Sequence, residues 1–286
     1  MRFVPFREQG RDGLAVQSAG GALTGLTMGE PHYPGELDTL VSKGTDGLRD
    51  AHARLLAGRS IDPAAIAYRP PFANPSKIIC IGLNYADHSA ESGFVQPTYP
   101  TVFARFASSM IGHQDPIIRP KASIQLDYEG ELVAVLGRGG RHIAEADALG
   151  HVAGYSIFND GSVRDYQTKA PQWTIGKNFD GTGAFGPVFV TSDELPPGGT
   201  GLKIQTRLNG QVMQSASTSD MIFGVARLIA ILSEAITLSA GDIIVSGTPS
   251  GVGMARKPPI FMKAGDVCEV EIEGIGILRN PIADEA

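Results

Sequence analysis

Glycine sets the terms on which this chain can fold. It accounts for 36 of 286 residues, nearly double the usual ~7%, and it falls between short apolar runs. No Gly-x-y period is present, so a collagen-type helix is excluded. A chain interrupted this often suits short strands joined by tight turns, where glycine reaches positive φ at no steric cost. Apolar runs at residues 77–82, 132–136, 153–158, 188–190, 202–208, 243–246 and 267–272 fit such strands. Leu208-Asn209-Gly210-Gln211 reads as a hairpin turn through its Asn-Gly pair. Beyond residue 77 one convincing amphipathic helix is predicted, at about 221–235, with Thr218-Ser219-Asp220 supplying its N-cap.

The first 70 residues read differently. Strand candidates at 2–5, 14–17 and 22–26 precede a helical stretch at 37–56 that carries Leu40, Leu48, Leu55 and Leu56. Between Tyr68 and Pro75 three prolines fall in eight residues, which excludes helix and predicts a linker. The expected fold is α+β and mostly β. It has a small N-terminal α/β domain over 1–70 and a larger, mixed β domain over 71–286.

Charge and composition narrow the function. Thirty acidic against 24 basic residues give a net charge of −6, the wrong balance for a phosphate-backbone binder, so no nucleic-acid partner is expected. The N-terminus has no apolar h-region. The longest apolar stretch, near 225–236, is broken by Arg227, Ser233 and Glu234 and is unsuited to a bilayer. A cytoplasmic protein without a membrane partner is expected. Cys80 and Cys268 each lie in an apolar strand-like run and are expected to be buried, reduced thiols. Two cysteines make neither a disulfide framework nor a zinc motif.

Three segments carry candidate chemistry. In Leu126-Asp127-Tyr128-Glu129-Gly130-Glu131-Leu132-Val133, strand alternation would put Asp127, Glu129 and Glu131 on one face with Val133. Adjacent carboxylates raise one another's pKa unless a cation compensates. All-oxygen donors favour Mg²⁺, Mn²⁺ or Ca²⁺ over zinc. A solvated edge strand would explain the same pattern. Tyr155-Ser156-Ile157-Phe158-Asn159-Asp160 ends a strand in an acid, a rigid ligand position, although Asn-Asp-Gly is also a turn sequence. In Gly82-Leu83-Asn84-Tyr85-Ala86-Asp87-His88-Ser89-Ala90-Glu91, His88 and Glu91 are three apart and would form a general-base pair on a helical turn. The alternative there is an exposed surface turn. The Gly/Ser/Thr loop Ser246-Gly247-Thr248-Pro249-Ser250-Gly251-Val252-Gly253 lacks the Gly-Lys-Ser/Thr of a phosphate loop. It remains a candidate backbone nest for a carboxylate.

Taken in order, these segments resemble the fumarylacetoacetate hydrolase family in its two-part bacterial form, which includes acylpyruvases and oxo-heptenedioate isomerases. The likeness is completed by Arg164-Asp165-Tyr166-Gln167, Lys177-Asn178-Phe179 and Gln214 through Phe223. It covers about residues 75–281. It implies a mixed β-sandwich roll and one Mg²⁺ or Mn²⁺ per subunit on Glu129, Glu131 and Asp160, with Ca²⁺ as a non-physiological occupant. It also implies a homodimer. His88 and Glu91 are similar to the family's lid dyad. Arg164, Gln167, Lys177 and Thr248 are similar to its substrate- and water-positioning residues. Where many relatives have Phe-x-Lys-Pro, this chain has Phe103-Ala104-Arg105-Phe106. Arg105, if it faced the cavity, would grip a distal carboxylate.

The implied activity is hydrolysis of a C–C bond in a small 2,4-dioxo acid of the acylpyruvate or fumarylpyruvate type. A cation would hold the pyruvate enolate charge. His88, oriented by Glu91, would deprotonate a water aimed by Gln167, and Lys177 would stabilise the developing charge. The same site would serve oxaloacetate decarboxylation or 2-hydroxydienoate isomerisation or hydration. A non-catalytic metal- or ligand-binding protein is the reading from another class.

Overall fold

The computed structural model describes residues 1–87 and 97–286. His88 and Glu91 therefore lie outside the described residues. The expected strand runs are strands, and those at 132–136, 153–158 and 188–190 extend to Gly130–Leu136, Val152–Asp160 and Gly183–Thr191. Gly130–Leu136 is buried on both faces. Leu132, Ala134 and Leu136 enter one core cluster, while Val133 and Val135 enter another. This period-2 division fixes which face each neighbouring residue takes.

A 12-stranded sheet runs from Arg59–Ile61 at one edge to Thr101–Arg105 at the other. At its centre Gly130–Leu136 pairs antiparallel with both Val152–Asp160 and Ile243–Val245. Ile243–Val245 in turn pairs parallel with Ile78–Gly82. The N-terminal strands belong to this same sheet. Arg2–Glu8 pairs with Gly183–Thr191, placing Phe3 opposite Phe189. Phe3, Leu48 and Leu55 share one core cluster with Val133, Phe185 and Phe189. Residues 1–70 and 71–286 are thus joined by one sheet and one core.

The helical stretch predicted over 37–56 is interrupted. It forms helices Leu37–Leu40 and Gly44–Leu56 around a tight turn, with Gly44 at φ +70°. These helices bury Leu40, Leu48 and Leu55 toward one side of the large sheet. The other side meets a five-stranded sheet in the order Gln211–Ser217, Lys203–Leu208, Val267–Ile272, Gly276–Asp284, Ile117–Arg119. It also meets Leu228, Ile229 and Leu232 of helix Val225–Ala235. The architecture is α+β and mostly β, as expected. Asn209 and Gly210 have φ of 52° and 80°, the two positive values of a type I′ hairpin.

The predicted N-cap of the later helix is corrected. The helix starts at Val225 after Gly224, which makes no side-chain cap. Thr218–Asp220 is a separate single turn held by a reciprocal Ser217/Asp220 capping box. Met221 then makes a β-bridge with Tyr85, so cap chemistry here stops one turn and releases the chain toward the site. Cys80 and Cys268 are free and buried. Among the described residues no helix is long and apolar enough to cross a membrane.

Candidate active site and metal centre

The strand register assembles the acids. Gly130 lies opposite Asn159 and Glu131 opposite Phe158, so Glu131 and Asp160 are diagonal neighbours on one face. The run at 126–135 is not one strand. Leu126–Asp127 pairs with Ser162–Val163 in a separate ribbon, and Tyr128 and Glu129 connect it to Gly130–Leu136. Side chains fix that connection. Asn159 Oδ1 accepts the Glu129 N–H at 3.0 Å, and Gln214 Oε1 accepts the Gly130 N–H at 3.0 Å. As a result Glu129, Glu131 and Asp160 each bring one carboxylate oxygen within 4.8 Å of the others, all three side chains being buried.

Asp127 does not join them, contrary to strand alternation. Its Oδ1 accepts the Tyr128 and Gly253 N–H groups at 2.8 Å each. Its Oδ2 accepts Met254 N–H at 2.9 Å and Arg164 Nε at 2.8 Å. Asp127 is a strut between Arg164 and the 253–254 turn.

Three buried cations surround the acids. Lys177 Nζ donates to Glu129 Oε2 and Asp160 Oδ2, each at 2.6 Å. Arg164 Nη1 meets Glu129 Oε1 at 2.6 Å and Gln167 Oε1 at 2.9 Å. Arg105 Nη1 donates to Asp160 Oδ1 at 2.5 Å. Burial works against the Lys177 charge, but Asp160 and Glu129 outweigh it and its pKa is raised. Glu131 is pushed well above the carboxylate range, first by burial, then by Asp160 and Glu129. A cation held among the three acids would relieve the share of this shift that comes from the two neighbouring carboxylates. The donor set contains only oxygen, so the residues fit a hard divalent ion of the Mg²⁺ or Mn²⁺ class.

Above the acids opens a cavity of about 260 Å³. Gly82, Leu83, Phe103, Trp173 and Met254 supply apolar wall; Glu129, Glu131, Arg164, Gln167, Lys177 and Thr248 supply the polar part. Of the residues expected around substrate, Arg164, Gln167, Lys177 and Thr248 all line it. Arg105 does not, which corrects the expectation that it faces substrate. It is only 3% exposed, and its remaining donors go to Ser109 Oγ, Gly161 O and Thr182 Oγ1. Arg164 Nη2 is buried with no hydrogen-bond partner among the described residues. An unpartnered guanidinium N–H is costly unless something accepts from it.

Two glycines make room for side chains at the site, one at the cavity wall and one behind the acids. A Cβ on Gly82 would lie 2.3 Å from a Trp173 ring carbon, so its absence lets the indole cross the strand. A Cβ on Gly183 would meet the Arg105 guanidinium at 2.7 Å. The 246–253 loop is only in part an open nest. Gly247 N–H donates to Glu131 Oε2 at 2.5 Å. The Thr248 hydroxyl donates to Gly130 O at 3.0 Å and accepts from Gln214 Nε2 at 2.8 Å. Sequence reasoning assigned no role to Gln214, yet it ties Gly130, between the two ligand glutamates, to Thr248 and to Pro249 O. Nor did it assign one to Asn84, whose amide bonds Phe223 on both sides and Ser246 O. Asn84 carried a signal, a lone amide between Leu83 and Tyr85; Gln214, which opens the polar run Ser215-Ala216-Ser217-Thr218, carried none.

Residues 77–283 match the family described as fumarylacetoacetate (FAA) hydrolase, C-terminal. The chain belongs to the fumarylacetoacetate hydrolase family. It is 40% identical to a mitochondrial oxaloacetate tautomerase of Xenopus laevis over 289 residues, 99% of this chain and 90% of the relative. A human mitochondrial oxaloacetate tautomerase is 38% identical over 288 residues, 99% and 91% of the two chains. Among solved structures, the fumarylacetoacetate hydrolase of psychrophilic Exiguobacterium antarcticum aligns with a TM-score of 0.87 at 36% identity, covering 100% of both chains. A 2-hydroxyhepta-2,4-diene-1,7-dioate isomerase from Mycobacterium marinum aligns with a TM-score of 0.76 at 30% identity, covering 100% of this chain and 99% of that one. The chain is an enzyme of this family, which holds tautomerases, isomerases and hydrolases on one fold.

Proposed function

We propose that this enzyme moves a proton next to the carbonyl of a small 2-oxo diacid, interconverting enol and keto forms of an oxaloacetate-like substrate. The observation that carries the reading is the state of Gln167. Its carbonyl oxygen already accepts from Arg164 at 2.9 Å, and among the described residues its amide N–H₂ has no acceptor, so its donor side is turned to the cavity it lines. An attacking water is aimed by an acceptor, whereas an anionic oxygen is held by donors. The cavity offers donors from Gln167, from Arg164 Nη2 and from Lys177. This favours holding an enolate over aiming a nucleophile, and full-length likeness to oxaloacetate tautomerases supports the same choice.

Glu129, Glu131 and Asp160 would hold one divalent cation. When bound, such an ion supplies Lewis acidity that stabilises negative charge on the 2-oxo oxygen. The chain's own groups do the rest. Arg164, kept in place by Asp127 and Glu129, presents Nη2 to a substrate carboxylate. Lys177 stabilises oxyanion charge at the reacting carbonyl. Trp173, Phe103 and Leu83 exclude water from one side. His88, for which Glu91 is the expected orienting carboxylate, would take the enol hydroxyl proton and return a proton to C3, so that an O–H bond breaks and a C–H bond forms. Hydrolysis of an acylpyruvate is the competing reading, supported by the likeness to a fumarylacetoacetate hydrolase.

One assay separates them. Oxaloacetate enol and acetylpyruvate are each incubated with enzyme and Mg²⁺, following enol absorbance and, by a coupled dehydrogenase, pyruvate release. Faster loss of oxaloacetate enol without pyruvate is expected. Pyruvate released from acetylpyruvate, with no effect on oxaloacetate enol, would overturn the proposal in favour of C–C hydrolysis.

A further inference from the structure

The cavity has two unlike sides. Its floor is polar, with Arg164, Gln167 and Lys177 beside the acids. Its wall is apolar, formed by Leu83, Phe103, Trp173 and Met254. None of these four is buried, and Met254 is 40% exposed. Apolar surface in a concave site stays in contact with water unless a ligand covers it. A four-carbon diacid ends in a second carboxylate, which gains nothing from such a wall.

The wall is held firmly and lies next to the chemistry. Leu83 has φ +57°, a left-handed backbone that strains a leucine and would cost a glycine nothing. It follows strand Ile78–Gly82 directly and lines the cavity. Phe103 and Trp173 meet edge to face, ring centroids 5.5 Å apart at 63°, and Gly82 leaves the space that the indole fills. Lys177 Nζ, the group placed at the reacting carbonyl, lies 5.1 Å from the Phe103 ring centroid. A group on C3 of a 2-oxo acid would therefore meet the rings while its carboxylate and 2-oxo oxygen stay on the floor.

We propose that this enzyme also tautomerises 2-oxo acids that carry an aromatic group at C3, of the phenylpyruvate type. This rests on reading the site as one for proton transfer at C3. The aryl group lies against Leu83, Phe103 and Trp173, where an aromatic ring finds edge and face partners. The step is the one proposed for oxaloacetate: the enol O–H bond breaks, a C3–H bond forms, and no further reactant is consumed.

The test follows the enol absorbance of phenylpyruvate and of oxaloacetate in separate reactions with enzyme and Mg²⁺. Wild type is expected to speed the loss of both over the enzyme-free rate. In Trp173→Ala the kcat/KM for phenylpyruvate, divided by that for oxaloacetate, should fall about tenfold, the scale of one lost aromatic contact. Leu83→Asn should lower the same ratio. Asparagine accepts the left-handed backbone while making the wall polar, so this variant decides the matter if Trp173→Ala does not fold. Loss of phenylpyruvate enol only at the enzyme-free rate, with oxaloacetate enol accelerated, overturns the proposal. So does an unchanged ratio in the folded variants. Acceleration of neither enol overturns the reading of the site as one for proton transfer, a different result.

Discussion

Asp127→Asn separates two accounts of the acidic run. Strand alternation counts Asp127 with the metal acids, whereas the structure makes it a strut. In the variant, the retained oxygen can keep the Tyr128 and Gly253 N–H groups. The new amide nitrogen, however, faces Met254 N–H and Arg164 Nε, both donors, which lay 2.9 and 2.8 Å from Oδ2. Two hydrogen bonds are lost, and one of them is also a buried ion pair. Breaking one partner of a buried pair costs about 3–5 kcal/mol. Arg164 keeps Glu129 at 2.6 Å, so the low end applies, about 3 kcal/mol, or a fall in Tm of roughly 6 °C for a chain of this size. Urea unfolding and calorimetry measure the first effect. Because Arg164 and Met254 line the cavity, KM for a 2-oxo diacid should rise as well. Mn²⁺ affinity should stay within about twofold, since the variant removes no cluster oxygen. A variant as stable as wild type that has lost Mn²⁺ would refute this reasoning and return Asp127 to the metal site.

Gly82→Ala should displace Trp173, whose ring lies where the methyl would go. Overpacking of this kind costs about 1–3 kcal/mol, and because Trp173 is the sole tryptophan its fluorescence should shift along with a rise in KM. His113 gives a pH signature. Burial, then the Arg279 charge, lower its pKa from 6.5 to about 4, and its Nδ1 accepts the Arg279 N–H at 3.0 Å. The unfolded chain takes up a proton below pH 6.5 that the folded chain refuses until about pH 4. Stability is therefore full above 6.5 and declines between those values, by about 1–2 kcal/mol at pH 5. Urea midpoints at pH 7 and pH 5, in wild type and His113→Leu, check this; equal pH dependence in the two removes His113 as the cause. Glu129→Gln should abolish metal-dependent turnover, and wild-type rates for that variant in chelating buffer would exclude the metal reading.

The sequence made much of this legible because the apolar runs are strong here. The runs at 132–136 and 153–158 located the strands, and the acids beside them followed. What alternation could not see is the break at Tyr128 and Glu129. The Gln214 and Asn159 side chains take over the Gly130 and Glu129 N–H groups there, and Asp127 leaves the face it would otherwise share. Arg105 illustrates a second limit. A charged residue at a strand end reads as exposed or substrate-facing, and only the three-dimensional meeting of Ser109, Asp160, Gly161 and Thr182 makes burial affordable. The joining of 1–70 to the large sheet depends on Phe3 opposite Phe189, a pairing some 190 positions apart in sequence that no local pattern encodes.

The central claim is proton transfer at C3 of a 2-oxo diacid. Its most direct test is solvent exchange: oxaloacetate in deuterium oxide with enzyme and Mg²⁺, followed by proton nuclear magnetic resonance. Wild type should speed deuterium incorporation at C3 over the enzyme-free rate, with oxaloacetate conserved, and Lys177→Met should not. Exchange at the enzyme-free rate, or carbon dioxide and pyruvate in place of labelled oxaloacetate, would contradict it.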